Sequence, residues 1–287
     1  MECGVLHRQI QEEPVIQIDK EALRRIQLIQ LEMLIEVDRI CRICGIRYQI
    51  IAGTMLGAIR HGGYIPWDDD ADVALLRSEY EKFRKACLTE LDTSRFYFQD
   101  HRNTPGYRWG YGKLRRKDSL FLREYQEHMP YEQGIFIDIF PLDGTPDMYP
   151  VRVLHNLKCF CVRKTLWSAV GRFSEPKLFV RLLYRFLSGI PEEWALRRYE
   201  KLIVRSNRKR TTHVRILMFP TPNRTYGYKR SWYENSTPVM FENHMFQGIQ
   251  AYEEYLTFKF GDYMILPPES KRKVHPVSAL VVPKGEK

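Results

Sequence analysis

The chain has 287 residues, of which 44% are hydrophobic and 13% aromatic, a composition that excludes a disordered chain and suits a packed core. Lys and Arg outnumber Asp and Glu by 45 to 35, and the formal charge of +10 favours anionic partners without choosing among phosphates, nucleic acid and membrane surfaces. No secretory signal is evident at the start, and no window reaches the roughly 18 apolar residues of a spanning helix. We therefore expect a cytoplasmic protein.

The first half of the chain predicts alternating helices and strands. Leu23, Ile26 and Ile29 begin a helical apolar repeat over 19–44, which Gly45 ends. In chain order, the pattern then predicts a buried strand at 47–52 turning at Gly53, a helix at 55–61 stopped by Gly62 and Gly63, a strand at 71–76, a helix capped by Ser78, strands at 95–100 and 107–116, and a buried strand at 134–142.

The second half is basic and helical over 151–190 and continues so over 197–215; from Met218 it becomes loop-rich and aromatic, with a last helix at 251–261. We therefore predict an α+β fold with a mixed sheet, an N-terminal helix and a basic helical insertion. We interpret 1–287 as a single catalytic domain, with a core at about 20–147, a basic subdomain at about 148–215 and a C-terminal segment at about 216–287.

The six cysteines predict reduced thiols in a cytosolic protein. Cys41 and Cys44 form a CxxC pair, and Cys159 and Cys161 a CxC pair, whose spacing is poor for a four-thiolate zinc site. We interpret these four, with Cys3 and Cys87, as buried thiols.

Acid is concentrated in "WDDDADV", which holds Asp68, Asp69, Asp70 and Asp72. If the strand is regular here, alternation places Asp68, Asp70 and Asp72 on one face and Asp69 on the other. Converging carboxylates need a cation or a proton, and oxygen-only ligands suit Mg²⁺ or Mn²⁺. A solvated loop or a helix cap is the alternative, but the cluster leads directly into an apolar strand.

A third acid from another strand would complete such a site. Asp138 lies alone in "IFIDIF", where burial without a partner is costly. Asp143, in "PLDG", fits an ordinary turn instead. Upstream, Gly53 and Thr54 stand between a strand and a helix, where backbone can approach a phosphate.

Four blocks together resemble a known family: "GTMLGAIRHGGYIPWDDDADVALLRSEYEKF" (53–83), "GKLRRKDS" (112–119), "GIFIDIFPLDGTPD" (134–147) and "FGDYMILPPESKRKVH" (260–275). The pattern resembles the nucleotidyltransferase superfamily of DNA polymerase beta and, more closely, the LicD family of phosphocholine transferases, relatives of fukutin and the fukutin-related protein. The resemblance covers most of 20–147 and resumes near Trp232, whereas the basic helices carry little of it.

The resemblance implies transfer of a phospho-alcohol from a CDP-activated donor to a sugar hydroxyl. The donor would be CDP-choline, or CDP-ribitol or CDP-glycerol as in relatives, and the acceptor a cell-surface glycan such as lipopolysaccharide or teichoic acid, or a lipid-linked precursor. Asp70 and Asp72 match the metal-binding pair, and Asp138 matches the third acid. Asp68 matches an acid that precedes the pair.

The resemblance also matches Gly53 and Thr54 to a phosphate-side turn. We expect two-metal transfer, in which Asp138 activates the acceptor hydroxyl. Two alternatives stay open: a nucleotidyltransferase that attaches the nucleotide itself to a small molecule or RNA, and a nucleic-acid-binding module, for which no recognised motif is present.

Several bases stand near these motifs. Arg60 and His61 either contact diphosphate or end a solvated helix. Lys113 and Arg115 either share a face and neutralise phosphate or decorate an edge strand. Arg272 and His275 either bind substrate or belong to a structural tail.

A choline headgroup would need aromatic faces. The candidates for this role, or for the core, are Trp67, Tyr107, Trp109, Tyr111 and Trp232. The basic helices either contact an anionic membrane at its inner face or form a packed subdomain with a charged rim.

Overall fold

A computed structural model describes residues 16–221, 227–272 and 274–283. The helices of these ranges are α1 (Lys20–Ile43), α2 (Ala52–His61), α3 (Arg77–Ala86), α4 (Tyr149–Ser174), α5 (Leu178–Ser188), α6 (Glu192–Ser206), α7 (Ser231–Glu234) and α8 (Tyr252–Phe260). The strands are β1 (Gln49–Ile50), β2 (Asp72–Leu76), β3 (Phe96–Gln99), β4 (Gly112–Arg116), β5 (Leu120–Arg123), β6 (Phe136–Thr145), β7 (His213–Arg215), β8 (Tyr228–Lys229), β9 (Ser236–Phe241), β10 (His244–Ile249) and β11 (Val277–Val281). The expected lack of a signal segment and the thiol Cys3 fall outside the described residues.

The central sheet is mixed, as predicted. Its strands run in the order β1-β2-β6-β4-β3, and β7 and β8 extend it from the far end of β6. Only the β2–β6 pair is parallel among these strands, whereas β1, β4, β3, β7 and β8 pair antiparallel. The predicted α+β class with a mixed sheet is therefore confirmed.

The strand β6 is buried along its whole length and separates two environments. Ile137 and Ile139 alternate with Asp138 and so face the other side of the sheet. A Cβ added to Gly112, the partner of Ile139, would lie 3.0 Å from the Tyr80 hydroxyl, so α3 covers that side. The face that carries Asp138 is thus left for the site.

Most predicted elements are present, but several local interpretations are wrong. Gly53 and Thr54 lie in the first turn of α2 rather than in a turn before it. Helix α3 begins at Arg77 without a side-chain cap, so Ser78 is not its N-cap. Asp143 belongs to β6 and not to a turn, since it pairs with Arg215 of β7, and its buried carboxylate accepts two hydrogen bonds of 2.7 Å from Arg77.

A hairpin was not predicted in the C-terminal segment. Strands β9 and β10 pair through a turn at Glu242 and Asn243, whose φ angles are +50° and +61°. Two consecutive positive φ values are typical of a two-residue hairpin turn. The residues of this hairpin pack into the same apolar core as α1 and the sheet.

The predicted basic helices exist and form a second layer. Helices α4 and α6 bury Cys159, Val162 and Leu166 against Tyr199 and Leu202. None of the helices in the described ranges is both long and apolar enough to cross a membrane. Cys44 and Cys161 are exposed, so the interpretation of every cysteine as a buried thiol is wrong at these two positions.

Candidate active site

Two glutamines of α1 hold the acidic loop that precedes β2. Gln27 donates from Nε2 to the carbonyl of Asp68 at 2.9 Å, and Gln30 donates to the carbonyls of Asp69 at 2.7 Å and Phe136 at 3.1 Å. Both glutamines are buried, so their amide N–H groups need acceptors within the protein, and these carbonyls supply them. Helix α1 therefore fixes the loop backbone and, through it, the direction of the aspartates.

Three adjacent strands place a row of charged residues on one face. Asp72 on β2 is the register partner of Asp138 on β6, and Asp138 is the partner of Lys113 on β4. Thr54 accepts a hydrogen bond of 2.8 Å at Oγ1 from the backbone N–H of Asp72, which ties the start of α2 to the start of β2. The structure thus brings together the second and third acids that the sequence predicted.

Close packing at the N-terminus of α2 explains the glycine there. A Cβ on Gly53 would lie 2.5 Å from Oδ2 of Asp68, so only glycine leaves room for this carboxylate. Helix α2 has no side-chain cap, which leaves N–H groups of its first turn available to an acceptor. The first turn of α2 and Asp68 therefore share one small volume.

The aspartates repel one another strongly. Burial, followed by the charges of Asp70 and Asp69, raises the pKa of Asp68 to about 8. Burial and the neighbouring acids Asp69 and Asp138 raise the pKa of Asp70, and burial with Asp70 and Asp138 raises that of Asp72. Each carboxylate is thus held in a site where a proton or a cation is needed.

The carboxylates do not yet form a ready set of metal ligands. Within the described residues, no three His, Cys, Asp or Glu side chains are grouped so that they could hold an ion. Lys113 pairs with Asp138, and Asp68 is hydrogen-bonded to Asp70. The donor set itself, four crowded carboxylates without sulfur or imidazole, fits Mg²⁺ or Mn²⁺, and metal binding stays a prediction.

The predicted alternation assumed a regular strand, but the loop before Asp72 is not a strand. Asp69 contacts the C-terminal segment, while its charge still helps to raise the pKa of Asp68 and Asp70. Its carboxylate accepts a hydrogen bond of 3.2 Å from the backbone N–H of His275 and lies 2.7 Å from His275 Nδ1. Only about 2% of Asp69 is exposed. This contact makes His275 a tether for the C-terminal segment, and the alternative of a structural tail is the one its geometry favours.

Lys113 and Arg115 share a face, as predicted, but β4 is not an edge strand. It lies between β6 and β3, and both side chains are buried. Burial lowers the pKa of Lys113 to about 7, while Asp138 opposes that shift. Arg115 donates to Gln99 at 2.6 Å and to the carbonyl of Gly134 at 2.7 Å, which holds its guanidinium still. The alternative of surface charge on an edge strand is therefore wrong.

Other predicted residues lie apart from this row. Arg60 and His61 end α2, about 10 Å along the helix axis from Gly53, and Arg60 donates to the carbonyl of Tyr263 at 2.8 Å. Arg272 stacks on Trp67, with its guanidinium carbon 4.7 Å from the ring centroid. The structure therefore does not bring these four predicted site residues into contact with Asp138.

Two basic residues near the acids were missed by the sequence analysis. The charge of Lys259, on α8, opposes the rise in the pKa of Asp72, and the charge of Arg123, on β5, does so for Asp70. Lys259 is held in an apolar stretch, "LTFKFG", where a lone lysine is the only signal. Neither strand pairing nor helix docking could be inferred from these local patterns.

A cleft of two adjoining cavities opens beside Lys113. Their volumes are about 320 and 200 Å³. They share the aromatic residues Trp109, Tyr111, Trp167 and Phe219. Lys113, Arg115 and Arg123 line the smaller cavity, and Arg163 and Lys164 line the larger one. Of the predicted aromatic candidates, Tyr107 and Trp232 are instead buried in apolar clusters.

Comparison with known proteins supports the resemblance to the LicD family that the sequence motifs indicated. Residues 45–163 match the family model described as the LicD/FKTN/FKRP nucleotidyltransferase domain. The chain is also 28% identical over 263 residues to the lipopolysaccharide cholinephosphotransferase LicD of Haemophilus influenzae, across 89% of this chain and 96% of that protein. Both comparisons therefore support the LicD family.

Two further relatives match only a short segment. An uncharacterized protein of Rickettsia typhi is 45% identical over 40 residues, 14% of this chain and 13% of that protein. One of Rickettsia prowazekii is 50% identical over 34 residues, 12% of this chain and 13% of that protein. The alignment with LicD of Haemophilus influenzae covers 89% of this chain and so spans the basic helices at 151–215, whereas the family model ends at residue 163.

Proposed function

We propose that this protein is a transferase that moves phosphocholine from CDP-choline to a sugar hydroxyl of a lipopolysaccharide-like glycan, on a nucleotidyltransferase-type core. The observation that carries the proposal is the row Asp72–Asp138–Lys113 on three paired strands, with Asp70 beside it. The proposal is supported by the similarity to the lipopolysaccharide cholinephosphotransferase LicD of Haemophilus influenzae, which aligns over nearly its whole length.

Each residue of the row has a role in this proposal. Asp70 and Asp72, with Asp68, would hold Mg²⁺ or Mn²⁺, which supplies charge neutralisation to the donor diphosphate when bound. Asp138 accepts the proton of the acceptor hydroxyl. The hydroxyl oxygen then forms a bond to the phosphorus that carries choline, and the bond from that phosphorus to CMP breaks. The products are phosphocholine on the glycan and free CMP.

The cations of the smaller cavity suit the donor phosphates. Lys113, Arg115 and Arg123 surround the Phe136 ring, with the guanidinium carbons of the two arginines 5.2 and 5.1 Å from its centroid. Asp138 pairs with Lys113 alone. Since the excess positive charge is partly buried, a bound anion would be stabilised more strongly there than at the surface. Arg60 and His61 have no comparable position.

The headgroup is the finer part of the proposal. Trp109 and Trp167, whose ring centroids are 5.4 Å apart, offer aromatic faces to a quaternary ammonium. Arg163 and Lys164 line the same cavity, and their positive charges would repel the ammonium group of choline. This observation favours the alternative of an uncharged headgroup, with CDP-ribitol or CDP-glycerol as the donor.

A comparison of donors tests the proposal. The wild-type protein with Mg²⁺ is heated in the presence of CDP-choline, CDP-ribitol, CDP-glycerol or CMP. A donor at 100 times its dissociation constant adds about 2.7 kcal/mol to the free energy of unfolding. We expect CDP-choline to give the largest rise in melting temperature; a larger rise with CDP-ribitol would shift the proposal to the alternative.

Analysis of the products then separates the chemistries. We expect mass spectrometry of a lipopolysaccharide acceptor to show added phosphocholine, and the solution to contain free CMP. CMP retained on the acceptor would instead support a nucleotidyltransferase that attaches the nucleotide.

A further inference from the structure

Helix α5 presents an apolar face that no other part of the described chain covers. Five of its apolar side chains are exposed, at the spacing of a single broad helical face: Leu178, Phe179, Leu182, Leu183 and Phe186. Tyr184 is the one buried side chain of this helix. Exposed apolar patches of this kind mark interaction sites, because apolar surface left in contact with water is unfavourable unless a partner covers it.

Helix α4 continues the exposed surface. Tyr149, Val153, Leu157 and Phe160 are spaced four, four and three residues apart and are all exposed. The buried face of α4 packs on α6 instead. Gly171 allows α5 to approach closely, since a Cβ there would lie 2.7 Å from the Tyr184 ring, and Lys164 donates to the Tyr184 hydroxyl at 2.7 Å. The two helices therefore form one hairpin, α4–α5, with uncovered apolar stripes.

The charge of this hairpin selects the kind of partner. Residues 149–190 contain eight Lys and Arg and a single acid, Glu175. Arg185 is exposed at the edge of the apolar stripe of α5, and Arg181 is half-buried one turn before it on the same side, so their long side chains can reach polar groups beside the stripe. A second copy of the chain would oppose two basic surfaces, which is unfavourable. An anionic lipid surface matches both the apolar and the basic groups.

We propose that the α4–α5 hairpin docks on an anionic lipid bilayer, with the apolar side chains of α5 among the headgroups and its arginines at the lipid phosphates. The packed subdomain with a charged rim, the alternative left open by the sequence, does not describe α5, because its apolar residues are exposed. The use of this docking rests on the proposed function: Arg163, Lys164 and Trp167 of α4 also line the cleft, so docking would bring the cleft towards a lipid-linked acceptor.

Vesicle binding tests the docking directly. The full chain is sedimented with vesicles of phosphatidylcholine alone and with vesicles that also contain phosphatidylglycerol. We expect binding to the anionic vesicles, weakened by salt. The double variant Phe179→Ser, Phe186→Ser should lower the partition coefficient about tenfold or more, because two large apolar side chains no longer enter the bilayer. Arg181→Glu with Arg185→Glu should abolish the preference for anionic lipid.

A matched control separates docking from general stickiness. Leu88, in the turn after α3, is 77% exposed, the same fraction as Phe186, and lies outside the hairpin. Leu88→Ser should bind vesicles as the wild type does. Loss of binding in Leu88→Ser to the same extent, or no binding of the wild type to anionic vesicles, would overturn the proposal.

Two further measurements distinguish the remaining outcomes. A concentration-dependent dimer in sedimentation velocity that Phe179→Ser with Phe186→Ser abolishes would overturn the membrane proposal in favour of a second copy. Thermal stabilisation by CDP-choline with Mg²⁺ should be equal in this variant and the wild type. If stabilisation is absent in both while vesicle binding persists, the proposed function fails and the docking stands.

Discussion

At the scale of single residues, the four aspartates of the segment 68–72 divide into two groups with different roles. Asp70 raises the pKa of Asp68 and Asp72, Asp68 raises that of Asp72, and Asp138 raises that of Asp70 and Asp72. Asp69 also raises the pKa of Asp68 and Asp70, but its own carboxylate is bonded to the backbone N–H of His275 and lies beside the His275 ring. Charge repulsion is concentrated where a cation and a diphosphate would bind, which is the usual way in which function costs stability.

Substitution of the acids should reveal this division. We expect Asp72→Asn and Asp138→Asn each to lower the transfer rate by about 10²-fold or more, because metal binding or proton acceptance is lost. Asp69→Asn should transfer at close to the wild-type rate, since an amide can still accept from the backbone N–H of His275. Rates with CDP-choline and Mg²⁺ check this, with circular dichroism to confirm folding. An equal loss in all three variants would contradict the geometry.

Removal of one repelling charge should also change stability. In EDTA, we expect Asp70→Asn to raise the free energy of unfolding, because it removes a buried carboxylate whose pKa is raised by burial and by the neighbouring acids. Added Mg²⁺ should stabilise the wild type but not this variant. Urea denaturation with and without Mg²⁺ measures both effects. Asp262→Asn, on the exposed turn after α8, serves as the control and should change neither quantity.

At the scale of elements, β6 links the site to the rest of the fold. Its middle carries Asp138, and its far end carries Asp143, which is bonded to Arg77 of α3 and accepts a hydrogen bond of 2.6 Å from Asn207 after α6. The far end of β6 also pairs with β7, so this one strand is held by α3, by the end of α6 and by the sheet extension. A shift of this end of β6 would therefore also change the position of Asp138 relative to its partners Asp72 and Lys113.

Disruption of the Asp143 contacts tests this role. We expect Asp143→Asn to lower the free energy of unfolding by about 3–5 kcal/mol, because the guanidinium of Arg77 would remain buried without its counter-charge. Guanidinium denaturation measures the change. Arg197→Ala, which removes an exposed ion pair of 3.7 Å with Glu193, is the control and should cost less than about 1 kcal/mol. Similar losses in both variants would contradict the assignment.

The sequence predicted elements well where periodicity was strong and less well where contacts decide. The long apolar repeat of α1 and the buried run of β6 were predictable from spacing alone. The chain alone could not show that "PLDG" continues a strand, because Asp143 is stabilised there by Arg77, 66 residues away in the chain. Lys259 and Arg123 were missed for the same reason, since only tertiary packing brings them to the acids.

At the scale of the whole molecule, burial falls from the sheet towards the α4–α5 hairpin. The ten residues of β6 are all buried, whereas α5 buries only Tyr184. The cleft lies between these extremes and takes lining residues from the sheet and from α4. The cleft therefore takes Lys113, the partner of Asp138, from the sheet, and takes Trp167 from α4, the helix on which α5 packs.

Hydrogen exchange should show this gradient. Local opening needs little free energy where few apolar contacts are broken, so we expect the amides of Leu178–Ser188 to exchange faster than those of any other helix of ten or more residues in the described ranges. The amides of Phe136–Thr145 should exchange last. Vesicles containing phosphatidylglycerol should slow exchange in Leu178–Ser188 and leave β6 unchanged, and vesicles of phosphatidylcholine alone serve as the control. Slow exchange in Leu178–Ser188 without vesicles would mean that α5 is held by contacts other than those with α4, and its apolar face would then not be free to dock.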